Sequence, residues 1–462
     1  MLDRLDSGPL LAVASFVQEP AQVAALLHAC PTLSPSLVCL RELATMLPPS
    51  DVWPDLCLRK SGLPTSVLAP LLHGSIGLYR SVKVYDLGLT DMVAAAALPS
   101  TRILVYDTAA PSNYHLVALQ TFANHLTSSY LNLQSFSPTK VVAAAAALRQ
   151  CHNLTHFKLA WTSPTNAVPV LAALPKLTRF TLGYTHLLHQ PMRLTTADEV
   201  QLATWVTAQS AQELEIAGVA PTSGVFPTAL QLAHSLEALL VTNAPEMCVV
   251  LLNGAPLPRG LRRLELHCTG LKAADMPNLS LALDGAPQLQ TLRLSNNYLG
   301  VMGMRLLAPR LERLCSLTHL MLASTFLMDE GCHWVAASLR HMPRLRCLDV
   351  SMNFIGNAGA TALASGLPNT LTHLTLKLNR LGDDGLDALV RAGIHSLTQL
   401  DVSNTLVTTA GAQKIVRALP GSRLRVNLSR VDMTIADVAL CQRQAGAIGV
   451  AGRVTLAPKD RP

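Results

Sequence analysis

The chain has 462 residues, half of them hydrophobic, only 4% aromatic and 14% charged, with a formal net charge of +7. Such a length points to several domains or to an elongated repeat architecture, and the scarcity of aromatics points to a core of many small aliphatic layers. Basic and acidic residues are interleaved with no Lys/Arg block, which argues against nucleic acid and leaves a mild bias toward acidic partners; no apolar run approaches the roughly 18 residues of a membrane span.

In chain order, residues 1–60 read as a small helical module. Apolar residues fall at helical spacing in "LLAVASFV", "QVAALLHAC" and "LVCLRELATML", and prolines separate the three. The start carries Asp3 and Asp6 where a signal peptide needs positive charge, so a cytoplasmic or nuclear protein is expected. Pro9-Leu10-Leu11, the Phe16-Val17 step and a terminal Trp53 give the segment an outline that resembles the F-box module. That resemblance implies docking on a Skp-type adaptor of a cullin ubiquitin ligase, with a substrate presented by whatever follows. The acid that follows the family's opening Leu-Pro is missing here. A helical cap over the first open edge of a repeat array is the other reading of the same residues.

From about residue 61 a repeat takes over. "LQTLRLSNNYL" begins at Leu289, "LTHLMLASTFL" at Leu317, "LRCLDVSMNFI" at Leu345, "LTHLTLKLNRL" at Leu371 and "LTQLDVSNTLV" at Leu397, with starts 28, 28, 26 and 26 residues apart. Upstream copies start at Leu154, Leu177, Ala211, Leu236 and Leu261, degenerate ones near Tyr79, Thr101 and Ser128, and a last one at Arg423, about fourteen in all. The x-L-x-L-x core has the period of a strand with one buried face. The second half of each unit, as in "GDDGLDALVRAG", has apolar residues at helical spacing after a glycine turn. Strands lie about 4.8 Å apart while helices need roughly 10 Å, so a stack of such units must curve with its strands inside.

The L-x-x-L-x-L-x-x-(N/T)-x-L pattern resembles the leucine-rich repeat, and the alternation of 26 and 28 residues with helical backs resembles its ribonuclease-inhibitor-like class. The resemblance implies an α/β fold: a right-handed solenoid or horseshoe, parallel strands on the concave face and helices on the convex face, over residues 61–440. Residues 441–462 then form a C-terminal cap and tail. Ran GTPase-activating proteins share this repeat class, but they carry an acidic C-terminal run where this chain ends "APKDRP".

Within each repeat the ninth position is Asn297, Asn353 or Asn379, or Thr162, Thr185, Thr269, Thr325 or Thr405. There the chain leaves the strand, and a buried amide or hydroxyl can bond the backbone groups that lose their ladder partners. The tenth position points outward and reads Tyr298, Phe326, Phe354, Arg380 in successive units. Aromatics and Arg in one row are hot-spot residue types, so this ridge is the first candidate for binding a protein partner on the concave face. A second candidate group, Lys158, Trp161, Arg179, Tyr184 and His186, is basic and aromatic, suited to cation–π or acidic-peptide contact. Packing over neighbouring loops is the structural alternative for both. Trp334 falls on a helix and is expected on its outer side.

No phosphate-cradling G-x-x-x-x-G-K-[ST], no H-E-x-x-H and no G-x-S-x-G occurs, and carboxylates do not pair at a recurring spacing. A non-enzymatic, monomeric binding protein with no cofactor or metal is therefore expected. Its function is either substrate recognition for an F-box-type ligase or that of a standalone scaffold, inhibitor or regulator. Ten cysteines are spread singly and are expected to be buried thiols acting as small hydrophobes.

Overall fold

The computed structural model describes residues 25, 27, 33, 35–52, 55–59, 64–79, 81–98, 100–105, 112–133, 136–160, 168–173, 177–183, 191–208, 210–393 and 396–458. They fall into two compact units, 1–188 with 200–205 and 189–199 with 206–462.

In the first unit, β1 (Leu56–Leu58), β2 (Ser81–Val84), β3 (Arg102–Val105), β4 (Leu126–Asn132), β5 (His156–Ala160) and β6 (Arg179–Gly183) pair side by side in chain order, all parallel. Helices such as Thr65–Ser75, Thr90–Ala96 and Pro138–Leu148 return the chain between strands. In the second unit the parallel ladder runs β7 (Glu213–Ala217), β8 (Ala238–Thr242), β9 (Arg263–His267), β10 (Thr291–Arg293), β11 (His319–Met321), β12 (Cys347–Asp349), β13 (His373–Thr375), β14 (Gln399–Asp401), β15 (Arg425–Val431) and β16 (Val454–Pro458). Parallel neighbours joined through helices are the crossover connection that is right-handed in almost all proteins. Each unit is thus the α/β repeat solenoid expected from the sequence.

The leucines of the repeat make the core. Leu292, Leu294, Leu320, Leu322, Leu348 and Leu374 stack in register between sheet and helices, all buried. Each contributes at most about 2 kcal/mol of apolar burial, so one repeat alone is too small to fold and the stack supplies the stability. Helices Met328–Leu339 and Asn357–Gly366 pack so closely that a Cβ on Gly366 would collide with the Ala336 carbonyl.

The ninth-position column is buried and polar. Asn353 Oδ1 accepts from Thr325 N at 2.9 Å and Leu327 N at 3.2 Å, while its Nδ2 donates to Leu322 O at 2.7 Å and Ser351 O at 3.0 Å. Asn297 does the same for Thr269 and Leu271, and Asn379 for the backbone of Asn353 and Ile355. Each asparagine therefore sews its own repeat to the preceding one. The threonines are more local: Thr325 and Thr405 each donate to a carbonyl three residues back.

Three features differ from the sequence reading. Residues 56–58, assigned there to the helical module, already form β1 and pair with β2. The repeat placed near Ser128 is shifted: Ser128 pairs with His156, the third residue of its repeat, so the unit starts at Leu126 and the buried Ser129 fills a slot usually held by leucine. The cysteines are not uniformly buried. Burial pushes the thiols of Cys151 and Cys248 up to about 11 and about 12, whereas Cys315 is exposed. The long interval between Leu177 and Ala211 holds helix Thr196–Thr207 and a short strand, Met192–Arg193, paired with Val219–Ala220.

Candidate functional site

The outward row begins with a backbone feature. At the eighth position of successive repeats Asn243, Cys268, Asn296, Ser324, Met352, Leu378, Asn404 and Arg430 all have φ between 49° and 58°. A left-handed residue at each strand exit turns the chain sharply and throws the tenth side chain outward. Phe326 and Phe354 are themselves left-handed, with φ of 61° and 58°. Such conformations cost roughly 1 kcal/mol or more per non-glycine residue and persist only where the surroundings hold them. Here the buried asparagines and a second set of backbone bonds do so: Tyr298 N donates to Leu271 O at 2.7 Å, Arg380 N to Ile355 O at 2.8 Å and Leu406 N to Leu381 O at 2.9 Å.

On this frame the four predicted side chains form one continuous stack. The Tyr298 and Phe326 rings lie 5.8 Å apart at 20°, Phe326 and Phe354 lie 5.9 Å apart at 32°, and the Arg380 guanidinium sits 5.0 Å from the Phe354 centroid. All four are exposed, Tyr298 most among the rings at 62%. Offset ring pairs contribute about 0.5–1.5 kcal/mol and an exposed cation–π contact about 0.5–1 kcal/mol, which holds the ridge in one shape in water. The same registers add residues that sequence reasoning did not single out. Met352 and Leu378 at the eighth position and Leu406 at the tenth are also exposed, and they widen the ridge into an apolar patch. The tenth-position row is bounded by Gly270 before Tyr298 and by Asp432 after Leu406. The signal was present in the register, since the eighth position of each unit faces outward as the tenth does.

The second predicted group is only partly described. Lys158 and Arg179 are exposed on the adjacent strands β5 and β6, with Lys158 Nζ 5.9 Å from the Tyr130 centroid. Trp161, Tyr184 and His186 lie outside the described residues. Beneath these strands Phe157, Phe180 and Trp205 pack on one another, and Trp205 Nε1 donates to Leu177 O at 3.1 Å. Trp334 is 39% exposed on helix Met328–Leu339.

On the sheet face beside the ridge, Glu265 is buried between Arg263, at 2.6 Å, and Arg293, at 3.5 Å. Burial, then His373 and Arg346, hold the His319 imidazole below its usual value. No group of three or more His, Cys, Asp or Glu placed to hold a metal ion occurs among the described residues.

Comparison with known proteins follows this geometry. The leucine rich repeat family model matches residues 341–364 and 368–390, the segments around Phe354 and Arg380. Pig ribonuclease inhibitor is 32% identical over 120 residues, 26% of this chain and 26% of the inhibitor. A bovine NACHT, LRR and PYD domains-containing protein 5 is 38% identical over 109 residues, 23% of this chain and 10% of that protein. The match thus spans about a quarter of the inhibitor and a tenth of the NACHT protein. An internalin from Listeria monocytogenes aligns with a TM-score of 0.39 at 14% identity, over 68% of this chain and 83% of that one. The repeated motif, the parallel ladders of both units and the family match agree: this chain carries leucine-rich repeats.

Proposed function

We propose that the chain is a non-enzymatic protein-binding module whose principal recognition surface is the ridge at the exits of β10–β14. One observation carries this reading: Tyr298, Phe326, Phe354 and Arg380 are stacked, exposed and held by a buried hydrogen-bond column, with Met352, Leu378 and Leu406 alongside. Aromatic and Arg anchors on a preformed surface lose little conformational freedom on binding. The named relatives, a ribonuclease inhibitor and NACHT proteins, support the same broad role.

The test is quantitative affinity purification of the full chain against Tyr298→Ala/Phe326→Ala/Phe354→Ala, with Trp334→Ala as a control on the helices. The expected result is loss of specific partners from the triple variant alone, by tenfold or more, with melting temperature changed by no more than a few degrees. Equal capture by all three chains, or unfolding of the triple variant, sinks the reading.

The narrower role, substrate recognition for a ubiquitin ligase, rests on the F-box-like outline of residues 1–60. Pro9, Leu10, Leu11, Phe16, Val17 and Trp53 lie outside the described residues; within the module, helices Pro35–Met46 and Pro49–Val52 precede β1. Reconstitution with a Skp-type adaptor decides it. A complex that forms with the full chain and is lost on Leu10→Ala/Leu11→Ala supports the ligase link. No complex, or one indifferent to those changes, leaves the standalone scaffold, inhibitor or regulator. A cytoplasmic or nuclear location and a monomeric state go with either role.

A further inference from the structure

The first unit carries a polar groove of about 590 Å³ at the N-terminal ends of β3, β4 and β5, lined by Arg102, His125, Ser128, Asn153 and His156 among others. A register change shapes it. Ile103 pairs with Leu126 but Leu104 pairs with Ser128, so Thr127 is an extra residue, a bulge that sets His125 level with Arg102. Bulges of this kind re-aim side chains and recur beside functional sites. Thr127 Oγ1 donates across the bulge to Ile103 O at 3.4 Å.

A backbone carbonyl fixes the tautomer of His125. His125 Nδ1 lies 3.2 Å from the Thr101 carbonyl oxygen, which can only accept, so Nδ1 carries the hydrogen. Thr155 Oγ1 lies 3.2 Å from Thr127 O and 2.8 Å from His156 Nδ1, which ties the His156 ring to the threonine row. The Arg102 guanidinium is exposed and makes no ion pair among the described residues. Strands β3–β6 carry Arg102, His156, Lys158 and Arg179 and no carboxylate.

We propose that this groove binds a phosphate monoester, the phosphorylated serine or threonine side chain of a peptide laid across β3–β5. A tetrahedral dianion needs converging donors of more than one kind. Arg102 offers a planar fork, the imidazoles of His125 and His156 add ring nitrogens, and side-chain hydroxyls and amides complete the wall. The groove lining contains no Phe, Tyr or Trp on which a nucleic-acid base could stack, which separates it from a single-strand nucleic-acid site. The site is independent of the ridge.

The experiment is calorimetric titration of the full chain with O-phospho-L-serine, inorganic phosphate and L-glutamate at constant ionic strength. O-phospho-L-serine is expected to bind in the millimolar range or tighter, with glutamate at least tenfold weaker. Arg102→Gln and His156→Gln are each expected to weaken it tenfold or more while leaving the melting curve unchanged. The ridge triple variant should bind as the unaltered chain does. No heat with O-phospho-L-serine overturns the proposal, as does affinity unchanged in both groove variants. Glutamate bound as tightly overturns the phosphate assignment, and inorganic phosphate bound as tightly overturns the peptide source.

Discussion

At the C-terminal ends of β10–β14 the second unit stacks Tyr298, Phe326, Phe354 and Arg380; at the N-terminal ends of β3–β5 the first unit gathers Arg102, His125 and His156. The repeat is the same, and the contrast comes from which backbone groups need partners at each end of a strand. At the exits, buried Asn297, Asn353 and Asn379 satisfy the turning backbone from inside, so the outward tenth position is left to any side chain and can be apolar. At the beginnings, Thr127, Thr155 and Thr178 donate outward-lying hydroxyls to the preceding strand or turn, which makes that end polar by construction. One scaffold therefore offers a dry surface and a wet one without changing its core.

The comparison breaks most readily at the asparagine column. Asn353→Ala removes four side-chain hydrogen bonds and leaves Thr325 N and Leu327 N without them in a buried site. At about 1–3 kcal/mol for each unsatisfied group, a loss of roughly 3–5 kcal/mol is expected. Thr405→Val, which removes one local bond, should cost about 1 kcal/mol. Denaturant titration measures both. Hydrogen exchange should localise the Asn353→Ala effect to β11–β13 and spare β3–β5; uniform loss across both units would mean that the column is not the local support of the ridge.

A smaller effect is expected where the second unit begins. The buried Glu199 carboxylate accepts from Ser223 N and Ser223 Oγ at 2.8 Å each, and from Phe226 N at 3.3 Å. Burial alone would raise its pKa, but the backbone bonds from Ser223, Thr222 and Phe226 and the Ser223 hydroxyl outweigh it and hold the carboxyl below its usual value. Because the folded value is the lower one, its contribution is present above the unfolded value near 4.3 and is lost as pH falls through the folded value. Glu199→Gln should therefore cost roughly 1–3 kcal/mol at neutral pH and make the acid limb of stability shallower. An unchanged acid limb would remove Glu199 from this role.

The smallest effect compares one motif in the two regions. Thr155-His156 and Thr318-His319 are wired alike, each threonine oxygen lying 2.8 Å from the Nδ1 of the next residue. His319, however, is held below its usual value by burial, then by His373 and Arg346. Its contribution to stability is present above the unfolded value of about 6.5 and is lost as pH falls toward the folded one. His373→Gln should move the His319 titration upward, read by NMR of the imidazole protons. No movement would leave burial and Arg346 as the causes.

Much of this was legible in the sequence. Leu292 and Leu294 at alternate positions, repeated every 26 or 28 residues, require a strand with one buried face, and the recurrence requires stacking. Asn297 in a shared column marked the strand exit, and Tyr298, Phe326, Phe354 and Arg380 shared the next outward register, with packing over neighbouring loops as the alternative. These are consequences of local period and of the need to pair buried backbone groups, both properties of sequence. Three-dimensional pairing decided the rest. The left-handed turn at Met352 and Leu378 leaves no glycine signal, because the surrounding bonds, and not residue preference, enforce it. The bulge at Thr127 exists only in the pairing of β3 with β4, so the degenerate repeats there could not be phased from spacing alone. That the ridge is a continuous stack, and that Arg102, His125 and His156 share one groove, depends on how neighbouring strands align across 23–28 intervening residues. Period specifies which face a side chain is on; only the ladder sets which side chains from other repeats it meets.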